Sequence, residues 1–200
     1  MYDEAFWNER YARGDYLYGT EPNSFLAEQY RSLCGPVLSL SEGEGRNAVF
    51  LAAQGLEVVG VDISPVALEK ARKLAESRGV EITTLVCDLE TFEPQENHFG
   101  SVISISAHLP SKIRSRLYPW VERALRPGGT ILLEAYSENQ LSRDTGGPKD
   151  RDMLMTVEKV SREFPNCEPV LLREIEREVA EGEGHKGVAS VVQFIARRRA

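Results

Sequence analysis

Between residues 41 and 89, three short clusters set glycines and carboxylates beside apolar residues. The first is Ser41-Glu42-Gly43-Glu44-Gly45-Arg46-Asn47-Ala48. Glycines at 43 and 45 let the backbone turn tightly and approach a bound molecule, just before a helix N-terminus. The second is Asp62-Ile63, with Asp62 placed 19 residues after Gly43. A carboxylate there can accept from both hydroxyls of a ribose. The third is Cys87-Asp88-Leu89, an acceptor with an apolar neighbour, suited to the amino group and ring of adenine. Together they point to an adenosine-containing cofactor. Gly43-x-Gly45-x-x-Ala48 followed by Asp62 also fits the loose nicotinamide-dinucleotide fingerprint. Glu42 and Glu44 would oppose a second anionic group in that loop, whereas a sulfonium cofactor with an amino-acid tail tolerates them.

These clusters need a scaffold that lines up three strand ends. VLSLS (37–41) reads as a short buried strand, followed by a helix over 46–54 that Gly55 stops. EVVGVD (57–62) is a second strand, and Ser64-Pro65 supplies an N-cap with proline at the first helical position. Ala67, Ala71, Leu74 and Ala75 then repeat at helical spacing up to Gly79. EITTLVC (81–87), SVISIS (101–106) and Thr130–Tyr136 are three more predicted strands, the last introduced by the turn Pro127-Gly128-Gly129. A helical stretch over 111–125 carries Pro119, which predicts a kink or two short helices. Upstream, Asp3–Arg13 and 24–33 read as helices around the turn-rich segment GDYLYGTEPNS. Downstream come a polar loop or lid (139–152), a helix near 152–163, and strands near 170–181 and 188–197 joined by GEGHKG.

This alternation predicts one α/β domain, a Rossmann-like three-layer sandwich. Its sheet is mostly parallel and seven-stranded, with a C-terminal antiparallel hairpin. Residues 1–35 would form a helical cap, 36–136 the cofactor-binding core, and 137–200 the acceptor loop, helix and terminal hairpin. The chain has 200 residues, within the span of one domain. Its 24 basic and 31 acidic residues give a net charge of −7, which argues against general affinity for nucleic-acid backbone. Cys34, Cys87 and Cys167 form no C-x-x-C pair, so neither a disulfide framework nor a zinc ribbon is expected, and no carboxylate cluster compels a divalent metal, so none is expected. The start MYDEAFWNERY lacks a signal peptide's basic, apolar pattern, and no apolar run approaches a membrane span. A cytoplasmic protein, monomeric or weakly dimeric, is the expectation.

At this point the chain resembles the class I S-adenosylmethionine-dependent methyltransferases, and more narrowly the group related to tellurite-resistance and thiopurine methyltransferases. The resemblance rests on FWNERYARGDYLYGTEPNSFL (6–26), LSLSEGEGRNAVFLAAQGLEVVGVDISPVALEKA (38–71), VCDL (86–89), SISAHLP (104–110), LRPGGTILLEAY (125–136), TGGPKD (145–150) and EGEGHKG (181–187). It implies S-adenosyl-L-methionine as cofactor. Ser41, Glu42, Gly43, Gly45 and Asn47 would hold the methionyl part, Asp62 and Ile63 the ribose, and Asp88, Leu89 and Ile105 the adenine side. The family's first loop usually begins acidic-x-Gly-x-Gly-x-Gly, whereas this chain has Ser39 and Ser41 at the first acidic and first glycine positions. Serine lacks glycine's access to positive φ, so Ser41 is expected in an ordinary conformation. Glu42 would then partly replace the missing acid near the cofactor's ammonium.

Methyl transfer from a sulfonium is an in-line displacement governed mainly by positioning. A base is needed only for a protonated acceptor. His108, after the fourth strand, and His185, in the hairpin connection, are the candidate catalytic histidines. Lys186 and Tyr136 are candidate acceptor contacts, with 139–152 as a shaping loop. The aromatic stretch Phe6, Trp7, Tyr11, Tyr16 and Tyr18 would be a lid over the sulfonium, which favours π faces. Ser104–Pro110 lacks the Asn/Asp-Pro-Pro-aromatic motif of nucleic-acid amine methyltransferases. The expected partner is a small acceptor: a thiol, a metalloid oxyanion or another heteroatom nucleophile. An NAD(P)-dependent oxidoreductase and a non-catalytic S-adenosylmethionine-binding protein are the alternatives.

Overall fold

The computed structural model describes residues 3–182 and 185–199. One sheet contains β1 (Val37–Leu40), β2 (Val58–Asp62), β3 (Thr83–Val86), β4 (Phe99–Ile105), β5 (Leu125–Tyr136), β6 (Cys167–Glu181) and β7 (His185–Arg198). Their order is β3-β2-β1-β4-β5-β7-β6. Strands β1 to β5 run parallel, while β7 is antiparallel to both β5 and β6. β6 is therefore parallel to β1–β5, and its last residue, Glu181, reaches the edge where their carboxyl ends lie. Strand order reverses between β1 and β4, where open sheets of this kind bind ligands.

The central strands are apolar at successive positions because both sheet faces are covered. Leu38 and Leu40 join Leu117, Tyr118 and Val121 in one core, whereas Val37 joins Phe25, Leu26 and Leu51 in the other. The covering helices are α2 (Ser24–Gln29) and α3 (Arg46–Ala53) on one face, with α5 (Ser111–Ala124) and α6 (Val157–Glu163) on the opposite one. Helix α4 (Pro65–Ser77) packs beside α3, and α1 (Glu4–Tyr11) lies against α4. Among the described residues no helix is long and apolar enough to cross a membrane.

Four expectations are corrected. Of the two outcomes expected at Pro119, a kink or two short helices, the second is corrected, because α5 is one helix from Ser111 to Ala124. Leu117, Tyr118 and Val121, on either side of the proline, are at most 2% exposed, and their packing outweighs its cost of about 3 kcal/mol. Helix α6 starts at Val157, not near 152, because the Thr156 side chain accepts from the Lys159 N–H and fixes the start. β5 begins at Leu125, paired with Phe99, and residues 126–129 bulge out before pairing resumes at Ser101 and Thr130. Finally, His185 pairs with Glu181 and Lys186 with Ala180, so both belong to β7 and not to the connection.

Candidate functional site

The loop after β1 turns through three positive φ angles: Ser41 at 50°, Gly43 at 64° and Gly45 at 95°. Ser41 thus departs from expectation. The left-handed conformation is held by the surrounding loop, although it costs serine about 1–2 kcal/mol. Gly45 caps α3, and a Cβ there would stand 2.7 Å from Ala71, so only glycine lets the loop sit against α4. Gly43 donates its N–H to Asp62 Oδ2 at 2.8 Å, and Ser64 donates to Asp62 Oδ1 at 2.9 Å. Burial raises the Asp62 pKa, opposed by those backbone bonds. Their geometry fixes a carboxylate at the β2 terminus.

Glu42 folds back beneath the loop. Its Oε1 accepts from the Ala48 N–H at 2.9 Å and its Oε2 from the Ser39 hydroxyl. Gly60 makes room for it, since a Cβ there would lie 3.0 Å from Glu42 Cγ. Burial pushes the Glu42 carboxyl up to about 7, against the bonds from Ser39 and Ala48. A carboxylate therefore stands beside position 39 after all, delivered from three residues downstream. Its first partners are the chain's own donors.

The N-terminal segment is fastened over this loop. Glu44 Oε2 accepts from the Leu17 N–H at 2.8 Å, and its other oxygen pairs with Lys70 on α4. Lys70 also donates to the carbonyls of Arg13 (3.1 Å) and Asp15 (2.5 Å). Ser64 donates to Asn8 Oδ1 at 2.7 Å, and Asn23 donates its N–H to Asn47 Oδ1 at 3.0 Å. Sequence inspection read Glu44 only as a loop anion and gave Lys70 no role, because a lysine on a surface helix carries no local sign of a distant partner.

Under this cap lies a cavity of about 850 Å³, of the size found for small-molecule sites. Its wall includes Ser41, Glu42, Gly43, Asn47, Asp62, Ile63, Asp88, Leu89 and Ile105, while Gly45 stands behind, against α4. Phe6, Trp7, Tyr11 and Tyr18 line it from above. Tyr16 does not; its hydroxyl donates to the Lys70 carbonyl at 3.2 Å and its ring lies under the Lys70 ammonium. A Cβ on Gly43 would be 3.1 Å from the Tyr11 hydroxyl, so the bare backbone forms a cradle there. The donor set fits an adenosine-bearing sulfonium: carboxylates at the β2 and β3 ends, aromatic faces above, and a glycine backbone between. Among the described residues no group of three or more His, Cys, Asp or Glu could hold a metal ion.

Beyond β4 the wall becomes mostly apolar, with Leu109, Ile113, Pro148 and Met153 joined by His108 and Asp150. His108 Nε2 accepts the Tyr136 N–H at 3.0 Å, which places the neutral ring's proton on Nδ1. The Tyr136 ring stacks on His108 at 5.2 Å and is 3% exposed. Tyr136 thus lies behind this wall, contrary to the expected acceptor contact. It supports Gly147, where a Cβ would come within 2.5 Å of its ring, and so sets the Gly146-Gly147-Pro148 part of the expected loop. Lys186 is exposed on β7 and does not line the cavity. The His185 side chain lies outside the described residues.

Residues 37–129 match the family model described as a methyltransferase domain. The chain is 29% identical over 117 residues to 2-heptyl-1-hydroxyquinolin-4(1H)-one methyltransferase of Mycobacteroides abscessus, covering 57% of this chain and 52% of that protein. It is 29% identical to the 18S rRNA (guanine-N(7))-methyltransferase bud23 of Schizosaccharomyces pombe, covering 70% and 58%. Alignments to these relatives span little more than half their lengths. An uncharacterized methyltransferase of S. pombe is 31% identical, covering 49% of this chain and 69% of that one. In fold the chain is similar to TehB from Haemophilus influenzae, with a TM-score of 0.72 at 18% identity, covering 98% and 67%.

Proposed function

Because this chain belongs to the class I S-adenosylmethionine-dependent methyltransferases, we propose that it methylates a small molecule with an apolar body and one heteroatom nucleophile. The carrying observation is the wall beyond β4, where Leu109, Ile113 and Met153 face the same cavity as Phe6 and Trp7. Such a surface favours a desolvated organic body and gives a hydrated oxyanion little compensation. Family membership sets the nicotinamide alternative aside.

S-adenosylmethionine, when bound, supplies a methyl group on a positively charged sulfur. In this reading Asp62 takes the ribose hydroxyls, Asp88 and Leu89 the adenine, and residues 41–47 the methionyl part. The aromatic cap keeps water from the acceptor and offers π faces to positive charge. His108 forms wall: its Nε2 is committed to the Tyr136 amide, so taking up a proton there would break that bond. An acceptor that ionises by itself, such as an aromatic thiol or acidic hydroxyl, needs no protein base.

Calorimetric titration with S-adenosylmethionine, then mass detection of a methyl adduct, tests the reading. The acceptor panel would hold aromatic thiols, hydroxyquinolones, selenite, tellurite and ribosomal RNA. Methylation of the apolar thiols or hydroxyls supports it. Transfer to RNA or to the oxyanions alone would overturn it.

A further inference from the structure

Arg46 is the first residue of α3, directly after the glycine loop, and it lines the cavity. Its side chain is 8% exposed, so a full cation sits almost out of water. Nη2 donates to Glu181 Oε2 at 2.6 Å. Nη1 is buried and has no hydrogen-bond partner among the described residues. Guanidinium groups have donors only, so Nη1 calls for an acceptor, and leaving it without one is destabilising.

The ion pair that holds Arg46 belongs to a wider buried group. Glu181 Oε1 also accepts from Arg177 at 2.7 Å and from Asn23 at 2.9 Å. Glu134, on β5, accepts from the same Arg177 and Asn23 side chains, at 2.5 and 2.7 Å. Through this group the end of β6 sets the direction of the Arg46 guanidinium. Glu181 accordingly shares its oxygens between Arg46, Arg177 and Asn23 and cannot turn fully to Arg46.

Position along the sheet edge identifies the missing acceptor. Asp88 stands at the β3 end, Asp62 at the β2 end and the glycine loop at the β1 end, in the order of the strands themselves. A ligand with adenine at Asp88 and ribose at Asp62 extends its tail across the loop toward Arg46. Resting on the cofactor reading above, we propose that Arg46 Nη1 receives the α-carboxylate of the cofactor's amino-acid tail, with Glu181 as its positioning residue. Arg46 then distinguishes adenosine thioethers that carry a carboxylate from those that do not.

Calorimetry with two ligands tests this: S-adenosylhomocysteine and its decarboxylated analogue, which keeps the amine and thioether. Wild type should bind the first about 10- to 100-fold more tightly, the range for a buried charge-assisted bond. R46K should lose most of that ratio, since the ammonium lacks the rigid guanidinium fork that points Nη2 at Glu181 and Nη1 at the ligand, while binding the analogue within about twofold of wild type. E181Q, which leaves the arginine but loosens it, should fall between. Equal weakening of both ligands in R46K, or an unchanged ratio, would overturn the assignment. A wild type that binds both ligands equally would overturn it and leave the cofactor reading standing; one that binds neither would remove both.

Discussion

The Ser39 hydroxyl donates to Oε2 of Glu42, and both side chains are at most 5% exposed. Burial holds the Glu42 pKa near 7, above its ordinary 4.5. Between those pH values the folded protein binds more protons than the unfolded chain. Its stability is therefore greatest below the unfolded value and falls as pH rises through about 7. The expected loss is on the order of 3 kcal/mol. Denaturant melts at pH 5 and pH 8 should show it in wild type and largely abolish it in E42Q, with Asp62 leaving a smaller slope of the same sign. An equal slope in E42Q would contradict the assignment. E42Q should also bind S-adenosylmethionine less tightly, because the loop loses a charged acceptor for the Ala48 amide.

Ser41 is the position where the loop departs from the family pattern, and it stands at φ 50°. S41G removes a steric cost of about 1–2 kcal/mol and adds about 0.4–1 kcal/mol of unfolded-state freedom. A net gain between about 0 and 1.6 kcal/mol is expected by thermal melting. S41V, with a branched Cβ, should melt well below wild type.

Lys70, on α4, joins Glu44 and the carbonyls of Tyr11, Arg13 and Asp15 at one ammonium. K70M should leave the sheet folded but free the cap. Limited proteolysis would then cut between residues 12 and 20 faster than in wild type, and S-adenosylhomocysteine affinity should drop about tenfold, equivalent to about 1.4 kcal/mol. Unchanged cleavage and affinity would show that the cap holds without this lysine.

Arg114 on α5 is 2% exposed; it binds Glu163 of α6 and donates to the carbonyls of Leu109 (2.5 Å) and Asp152 (2.7 Å). It thereby fixes the apolar wall from behind. R114M should cost about 3 kcal/mol in denaturant unfolding, from the unpaired carboxylate and carbonyls. In the surviving folded protein the acceptor KM should rise while cofactor affinity changes little. Parallel changes in both would place Arg114 in general stability alone.

Legibility in the sequence followed the range of the interactions involved. Strand and helix order came from local periodicity, and the ends of β1, β2 and β3 came from glycines and carboxylates beside those strands. Ser64 as N-cap needed only residues 62–67. Pro119 does not divide α5 in two, because its local cost is overridden by core contacts that no short window contains. Ser41 misled for a similar reason: its backbone angle is set by a loop that must meet α4 and Asp62 together.

By itself the sequence determined an acidic α/β domain with an adenosine-type cofactor edge, since propensity, capping and motif spacing act within a few residues. Only the tertiary structure decided what that edge is made of. It put Glu42 beside Ser39, Lys70 beside Glu44, Tyr136 behind His108, and Glu181 of β6 beside Arg46, 135 residues away in the chain. Those pairings depend on strand order and on which side of the sheet each element packs, and burial then gives them their energetic weight. The apolar wall beyond β4 belongs to the same class, assembled from α1, α5 and the segment around Met153, which are far apart in the chain.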